Sequence, residues 1–415
     1  MSNACIFLFT IVDGVFVGRG VGSDALGAVN IAMPVVMIAT AINMLTSIGG
    51  CAIAAIRLGQ NDKEGANQAF LHSLTANVVL AAIITLVCTL LTEPLSKFLG
   101  ADAFYLPMAK EYVFWWGLFA IPSALSVNFQ FFCRNDGSPA LVAAATVIST
   151  VLNIFLDWLF VFPMQMGIMG AAIATGISQT VSWLVVAMHF ILHKGDLRIR
   201  PYKPQMGMFG QIIFFGLPEM IAQFATPVTT ICLNTVIVAH LGEVAVNAFA
   251  VISYVASLAI SVFAGAAEGL QPLFGQTYGA KEEKDMKWYF RSGMLISFVG
   301  SIVIVGLCIF FGRPICSLFG ADAETLEYTL YYLPQYAWAF VVVGLNTMIS
   351  AYLYSTERSG YAIPLNICRA LVFNTLIIRG LPALVGESII WYTYGIAEGA
   401  VLILAVILLK ISERN

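Results

Sequence analysis

The sequence predicts an all-α polytopic membrane protein of twelve transmembrane helices in two six-helix halves, and three observations carry that prediction. Of the 415 residues 60% are hydrophobic and 10% charged, with a mean hydropathy of +0.88, far from soluble usage. The apolar residues gather in windows of about 20, the length that crosses a bilayer as a helix. The second half of the chain also repeats the first.

In order, the windows lie over residues 4–19, 28–56, 68–92, 108–132, 140–163, 168–193, 209–238, 247–275, 290–312, 327–354, 361–382 and 389–410. The alternating ten-residue segments of a membrane β-barrel are not seen. Basic residues set the orientation. With a cytoplasmic N-terminus, Arg57, Lys63, Arg134, the cluster Lys194, Arg198, Arg200 and Lys203, then Lys281, Lys284, Lys287, Arg291, Arg358, Lys410 and Arg414 all fall inside. Only Arg19, Lys97, Lys110, Arg313, Arg369 and Arg379 lie outside or within helices, so both termini are expected in the cytoplasm.

The repeat appears at a shift of 220 residues. Pro94 and Gly100-Ala101-Asp102-Ala103 fall on Pro314 and Gly320-Ala321-Asp322-Ala323, and Gly22, Ala25, Ala28, Gly49, Gly59 and Phe70 fall on Gly242, Ala245, Ala248, Gly269, Gly279 and Phe290. With one inserted residue, Asp136 and Asn153 reach Glu357 and Asn374. Six spans per half is an even number, so the halves share one orientation, related by an axis along the membrane normal. The expected organisation is a first lobe over residues 1–193, a cytoplasmic linker over 194–208 and a second lobe over 209–415. The seventh window starts earlier in its half than the first does, so the first helix looks truncated: either a start codon placed too late or a shortened chain.

Asp157 lies deep in the fifth window, where a charge costs about 2.5–3.5 kcal/mol on insertion scales, which makes it a functional candidate by default. Thr146, Thr150, Asn153 and Asp157 follow the helical period as one narrow polar stripe. That stripe must face protein or water. In the second half Glu219, Glu268 and Glu398 fall within apolar windows, as candidates for contact with substrate or for carrying a proton. The competing structural reading pairs Glu268 or Glu398 with Arg369, itself inside the eleventh window.

The eight cysteines are scattered without a CxxC pair, and His72, His189, His193 and His240 lack ligand spacing, so no cofactor and no structural metal are expected. Residues 4–12 lack a basic leader and a cleavage site, against a removed signal peptide. Trp115, Trp116, Tyr331, Tyr332, Tyr336 and Trp338 suit either a cavity for flat cations or the interfacial belt. Pro34, Pro122, Pro218, Pro227, Pro272 and Pro334 interrupt windows as hinges or tolerated kinks. The run Gly18-Arg19-Gly20-Val21-Gly22 reads as a turn.

Several motifs, in order and over nearly the whole chain, resemble the multidrug and toxic compound extrusion (MATE) transporters, especially the bacterial multidrug-exporter branch. They are Val12-Asp13-Gly14-Val15-Phe16-Val17-Gly18-Arg19, Arg134-Asn135-Asp136-Gly137, Leu152-Asn153-Ile154-Phe155-Leu156-Asp157 and Gly170-Ala171-Ala172-Ile173-Ala174-Thr175. In the second half come Gly269-Leu270-Gln271-Pro272, Tyr278-Gly279-Ala280 and Gly395-Ile396-Ala397-Glu398. The departure is the missing start of the first helix.

The resemblance implies a V-shaped pair of lobes that exports amphipathic, often cationic compounds in exchange for sodium ions or protons. Carried over, the first-lobe coupling site comprises Asp13, Asn153, Asp157 and Thr175, with Asn128 or Gln130 nearby. Such oxygens suit a hard cation such as sodium, and two acids in one dry pocket equally suit a proton. The expected setting is a monomer in the bacterial inner membrane, with no nucleic-acid partner. A lipid-linked oligosaccharide flippase of similar two-lobe design is the alternative, but it calls for several basic residues in its cavity. Neither an HExxH motif nor a serine with its base appears, so an enzyme is not expected, and a channel filter is missing too.

Overall fold

The structure is a computed structural model that describes Phe16 and residues 20–99, 101, 103–317 and 323–414. Apart from Phe16, the first window, with Asp13, lies outside the described residues. Two compact units emerge, residues 1–216 and 217–415, and no strand occurs among the described residues.

The helices of the first unit are α1 (Ser23–Gly59), α2 (Lys63–Leu90), α3 (Thr92–Phe98), α4 (Leu106–Leu118), α5 (Ala120–Asn135), α6 (Pro139–Val161) and α7 (Gly167–Ile191), followed by α8 (Met206–Gln223). Then come α9 (Ala225–His240), α10 (Glu243–Gly279), α11 (Glu283–Phe310), α12 (Gly312–Ser317), α13 (Ala323–Ala337), α14 (Ala339–Ser355) and α15 (Ser359–Ile367). A π-helical segment, Cys368–Phe373, leads into α16 (Asn374–Val385); a 3₁₀ turn, Glu387–Tyr392, leads into α17 (Thr393–Ser412). Nine described helices are long and apolar enough to cross a membrane, or eleven if each of two bent pairs is one span. These match the second to twelfth windows.

The duplication is visible in the backbone. The helices α1 and α10 are 37 residues each and start 220 residues apart, as do α2 and α11 at 28 residues each. Left-handed residues recur at the same offset: Gly22 and Gly242, Asn61 and Lys281, Gly137 and Glu357. A glycine suits such a turn at no steric cost, and Asn61 also tolerates it. Side chains as large as Lys281 and Glu357 accept the strain because the turn is dictated by the helices on either side.

That register corrects the sequence alignment. Gly137 stands opposite Glu357 and Pro139 opposite Ser359, both at 220, whereas the sequence match pairs Asn153 with Asn374 at 221. The extra residue therefore sits inside the helix, not in the loop before it. It coincides with Cys368–Phe373, whose wider turn absorbs one surplus residue.

Both units bend one span. The α4–α5 pair bends by 49° at Phe119 and the α13–α14 pair by 41° at Trp338. Each bend carries an aromatic ring seated on a glycine: Phe119 on Gly176 of α7, and Trp338 on Gly395 of α17. No side chain larger than hydrogen fits there. Of the candidate hinge prolines, Pro34, Pro218, Pro272 and Pro334 lie inside continuous helices, and Pro122 and Pro227 occupy the first turn after a break.

Charged staples close the ends of the bundles. In the first unit Glu93 takes Lys97 at 2.8 Å and Lys110 at 2.7 Å. These contacts, Lys110 foremost, hold its carboxyl down at about 2. The second unit repeats the staple with reversed sign, Arg313 on Glu327.

Residues 194–205 lie along the first unit. Leu197 is fully buried. The Asp136 carboxylate meets His189 Nε2 at 2.8 Å and accepts from the backbone N–H of Asp196 and Leu197 at 2.8 and 3.3 Å. Asn67 Oδ1 accepts from the Arg198 amide, and His72 Nε2 accepts from the Gln205 amide at 2.8 Å. That last bond places the ring hydrogen on Nδ1, 2.7 Å from the Gln68 carbonyl.

Candidate functional site

The α6 stripe is buried along its whole length. Asp157 is fully enclosed, Asn153 is 1% exposed, and Thr146 and Thr150 are also buried. The other face of α6 presents Val151, Phe155 and Trp158 outward, so a lipid-facing side and a polar side coexist one residue apart. Among the described residues neither polar atom of Asn153 has a hydrogen-bond partner. Buried amides are normally satisfied, so these two atoms one turn from a carboxylate mark the position as a candidate site. Thr175 is half-buried on α7, which packs along α6.

Asn128 and Gln130 make hydrogen bonds of their own. Asn128 Nδ2 donates to Ser47 Oγ at 3.2 Å and to Ser73 Oγ at 2.9 Å. Asn77 Nδ2 donates to Thr46 Oγ1 at 2.9 Å, completing a polar cluster between α1, α2 and α5. Gln130 donates to Ser126 and Ser182. Sequence reasoning missed that cluster because its members lie on three helices with no shared spacing.

In the second unit Arg369 and Glu398 form a buried ion pair, Nε to Oε1 at 2.9 Å, with side-chain exposures of 10% and 1%. Asn346 Nδ2 donates to Glu398 Oε2 at 2.8 Å and to its carbonyl at 2.9 Å. Arg369 belongs to the π segment, whose widened turn presents it to α17. Glu219 accepts from Gln223 at 2.9 Å and lies near both Glu268 and Arg369. Of the two pairings weighed for Arg369, the structure selects Glu398.

Of the aromatics, Tyr336 stacks on Tyr394 with centroids 5.3 Å apart, and Tyr332 stacks on Trp391 at 5.1 Å. Trp338 is occupied by Gly395.

Bundles of apolar spans with ionisable groups enclosed at mid-helix define a multi-pass membrane transporter. The particular family follows from comparison: the MatE model matches residues 1–159 and 208–378, and the chain belongs to that family of MATE transporters, which are not enzymes. Among curated proteins it resembles an FAD transporter of Shewanella oneidensis, 25% identical over 377 residues, covering 88% of this chain and 81% of the relative. It also resembles the multidrug export protein MepA of Staphylococcus aureus, 23% identical over 390 residues, covering 92% and 85%. Its fold matches an outward-facing multidrug resistance MATE family transporter of the MOP superfamily with a TM-score of 0.91 at 24% identity, over 98% of this chain and 91% of that one. A MATE transporter of Vibrio cholerae matches with a TM-score of 0.92 at 21% identity, over 100% and 94%.

Proposed function

We propose that the protein is a secondary active exporter that trades amphipathic cationic compounds for sodium ions or protons, in a bacterial inner membrane with both termini cytoplasmic. The observation that carries this is the enclosed Asn153–Asp157 pair, an acid and an orphaned amide one turn apart. Neutral and anionic oxygens of this kind fit a hard cation, and Asn153, Asp157 and Thr175, with Asp13, would hold it. A carboxylate this costly to bury is retained for a positive species that comes and goes. Loading neutralises the acid and favours the state in which α6 is dry; unloading favours the state in which water and cargo enter. Each ligand shifts the balance only by its differential affinity for the two states.

An anionic cargo, as the name of the Shewanella relative describes, or a lipid-linked sugar would need free guanidinium groups. The buried Arg369 is instead bonded to Glu398, which supports the cationic reading. The test is uptake of ethidium into proteoliposomes under imposed sodium or proton gradients. Asp157→Asn is expected to abolish gradient-driven uptake, and Asn153→Ala to raise the half-saturating ion concentration about tenfold. Normal pumping by Asp157→Asn under both gradients overturns the coupling site.

A further inference from the structure

The N-terminal end of α11 carries a basic and aromatic face that the coupling chemistry above does not use. At about 100° per residue, Lys284, Lys287, Trp288 and Arg291 share one sector of the helix, about 120° wide. All four are exposed, Trp288 by 63%. The same sector continues along the helix as Leu295, Phe298, Val299 and Ile302, all outward. The opposite side packs inward through Met286, Gly293, Ser297 and Ser301. One uninterrupted stripe thus runs from a wet, charged end onto the surface that meets acyl chains.

The cations of this face are largely unmet. Lys287 reaches Glu283 Oε2 at 3.3 Å, an exposed pair of little strength. Among the described residues neither Lys284 nor Arg291 makes an ion pair. Glu282 and Asp285 lie off the sector. Tyr289 braces Trp288 edge to face, with ring centroids 5.1 Å apart.

The duplicated half shows what a peptide partner requires at the same place. Offset by 220 residues, Lys284, Lys287, Trp288 and Arg291 correspond to Glu64, Asn67, Gln68 and Leu71 of α2. There Glu64 pairs with Arg200, Asn67 Oδ1 accepts from the Arg198 amide, and Leu71 is buried. In the second half a lysine stands for the acid and an arginine for the buried leucine, and among the described residues nothing covers them. Three cations and an indole at the edge of an apolar stripe complement a negatively charged lipid surface.

We propose that this end of α11 binds an anionic phospholipid, its phosphate on Arg291, Lys284 and Lys287, its glycerol level with Trp288 and its acyl chains along Leu295, Phe298 and Ile302. Arg291 lies deepest, and its planar guanidinium matches two phosphate oxygens. Lys284 stands two turns farther out, about 10 Å along the axis, where it meets the rim of the headgroup. A zwitterionic lipid brings its own ammonium, which these cations repel, so net negative charge decides the choice. Such a site depends on neither cargo nor coupling ion, and it stands or falls apart from the exporter reading.

The test is fluorescence quenching of the purified chain in phosphatidylcholine vesicles by brominated phospholipids. Pairing each protein with its own Trp288→Phe counterpart isolates the Trp288 signal. Brominated phosphatidylglycerol is expected to occupy this position at least fivefold more strongly than brominated phosphatidylcholine. The variant Lys284→Gln, Lys287→Gln, Arg291→Gln is expected to bring that ratio within twofold of unity, and Arg291→Gln alone to lower it at least twofold. Lys284→Arg, Lys287→Arg, Arg291→Lys, which keeps every charge, is expected to retain most of the preference. Lys194→Gln with Lys203→Gln, exposed cations away from this face, is expected to leave it unchanged. A ratio near unity in the unaltered chain, or an equal loss when Lys194 and Lys203 are replaced, overturns the proposal. Relief of the quenching by millimolar glycerol 3-phosphate would assign the face to a soluble phosphate and overturn it as well.

Discussion

Removing one member of the Arg369–Glu398 pair tests whether that site is as dry as its geometry implies. At 2.9 Å and an effective dielectric of about 20, the Coulomb attraction is roughly 6 kcal/mol. Desolvation of both ions offsets much of it, yet deleting one partner strands the other. The expected cost of Glu398→Ala or Arg369→Ala is about 3–5 kcal/mol. Glu398→Ala also deprives Asn346 Nδ2 of one of its two acceptors, leaving only the carbonyl at 2.9 Å. The double variant Arg369→Met, Glu398→Leu removes both charges at similar volume and should recover most of the loss. Denaturant unfolding in detergent, arranged as a double-mutant cycle, measures the coupling directly. Single losses below about 1 kcal/mol that simply add would show a water-screened pair and refute the reasoning.

Two further outcomes follow from packing and charge. Gly395→Ala and Gly176→Ala place a methyl group into the rings of Trp338 and Phe119, an overpacking cost of about 1–3 kcal/mol readable as a lowered melting temperature. Gly399→Ala, with open space at its Cβ, is the control, and equal behaviour of all three would remove the ring-on-glycine argument. Glu93, held at about 2 chiefly by Lys110 and then Lys97, is depressed below its ordinary value, so its contribution is present above about pH 4.5 and fades as pH falls toward 2. The melting-temperature gap between the unaltered chain and Glu93→Gln should narrow over that window; a gap constant down to pH 3 contradicts the staple.

Span number, repeat length and the α6 stripe were legible because each is periodic: lipid demands a run of fixed length, and a buried face demands a fixed spacing. The position of the extra residue was not legible, since an alignment places a one-residue gap anywhere between two anchors. Only the backbone showed that Ser359 keeps the original offset of 220 from Pro139, ahead of the Asn153–Asn374 match at 221. The Arg369 partner was open for a similar reason: Glu268 and Glu398 are equally apolar in their surroundings, and helix rotation decides between them. The Asn77–Asn128 cluster left no signal, because hydrogen bonds between separate helices leave no trace in spacing along any one of them.

The widened turn at Cys368–Phe373 also makes the two copies non-interchangeable. Without that wider turn, one surplus residue would rotate everything beyond it by about 100°. Gene conversion that wrote the straight α6 pattern over this stretch would aim position 369 away from α17 and strand Glu398. The insertion thus acts as a ratchet, locking in the divergence of the duplicated halves by penalising any return to symmetry.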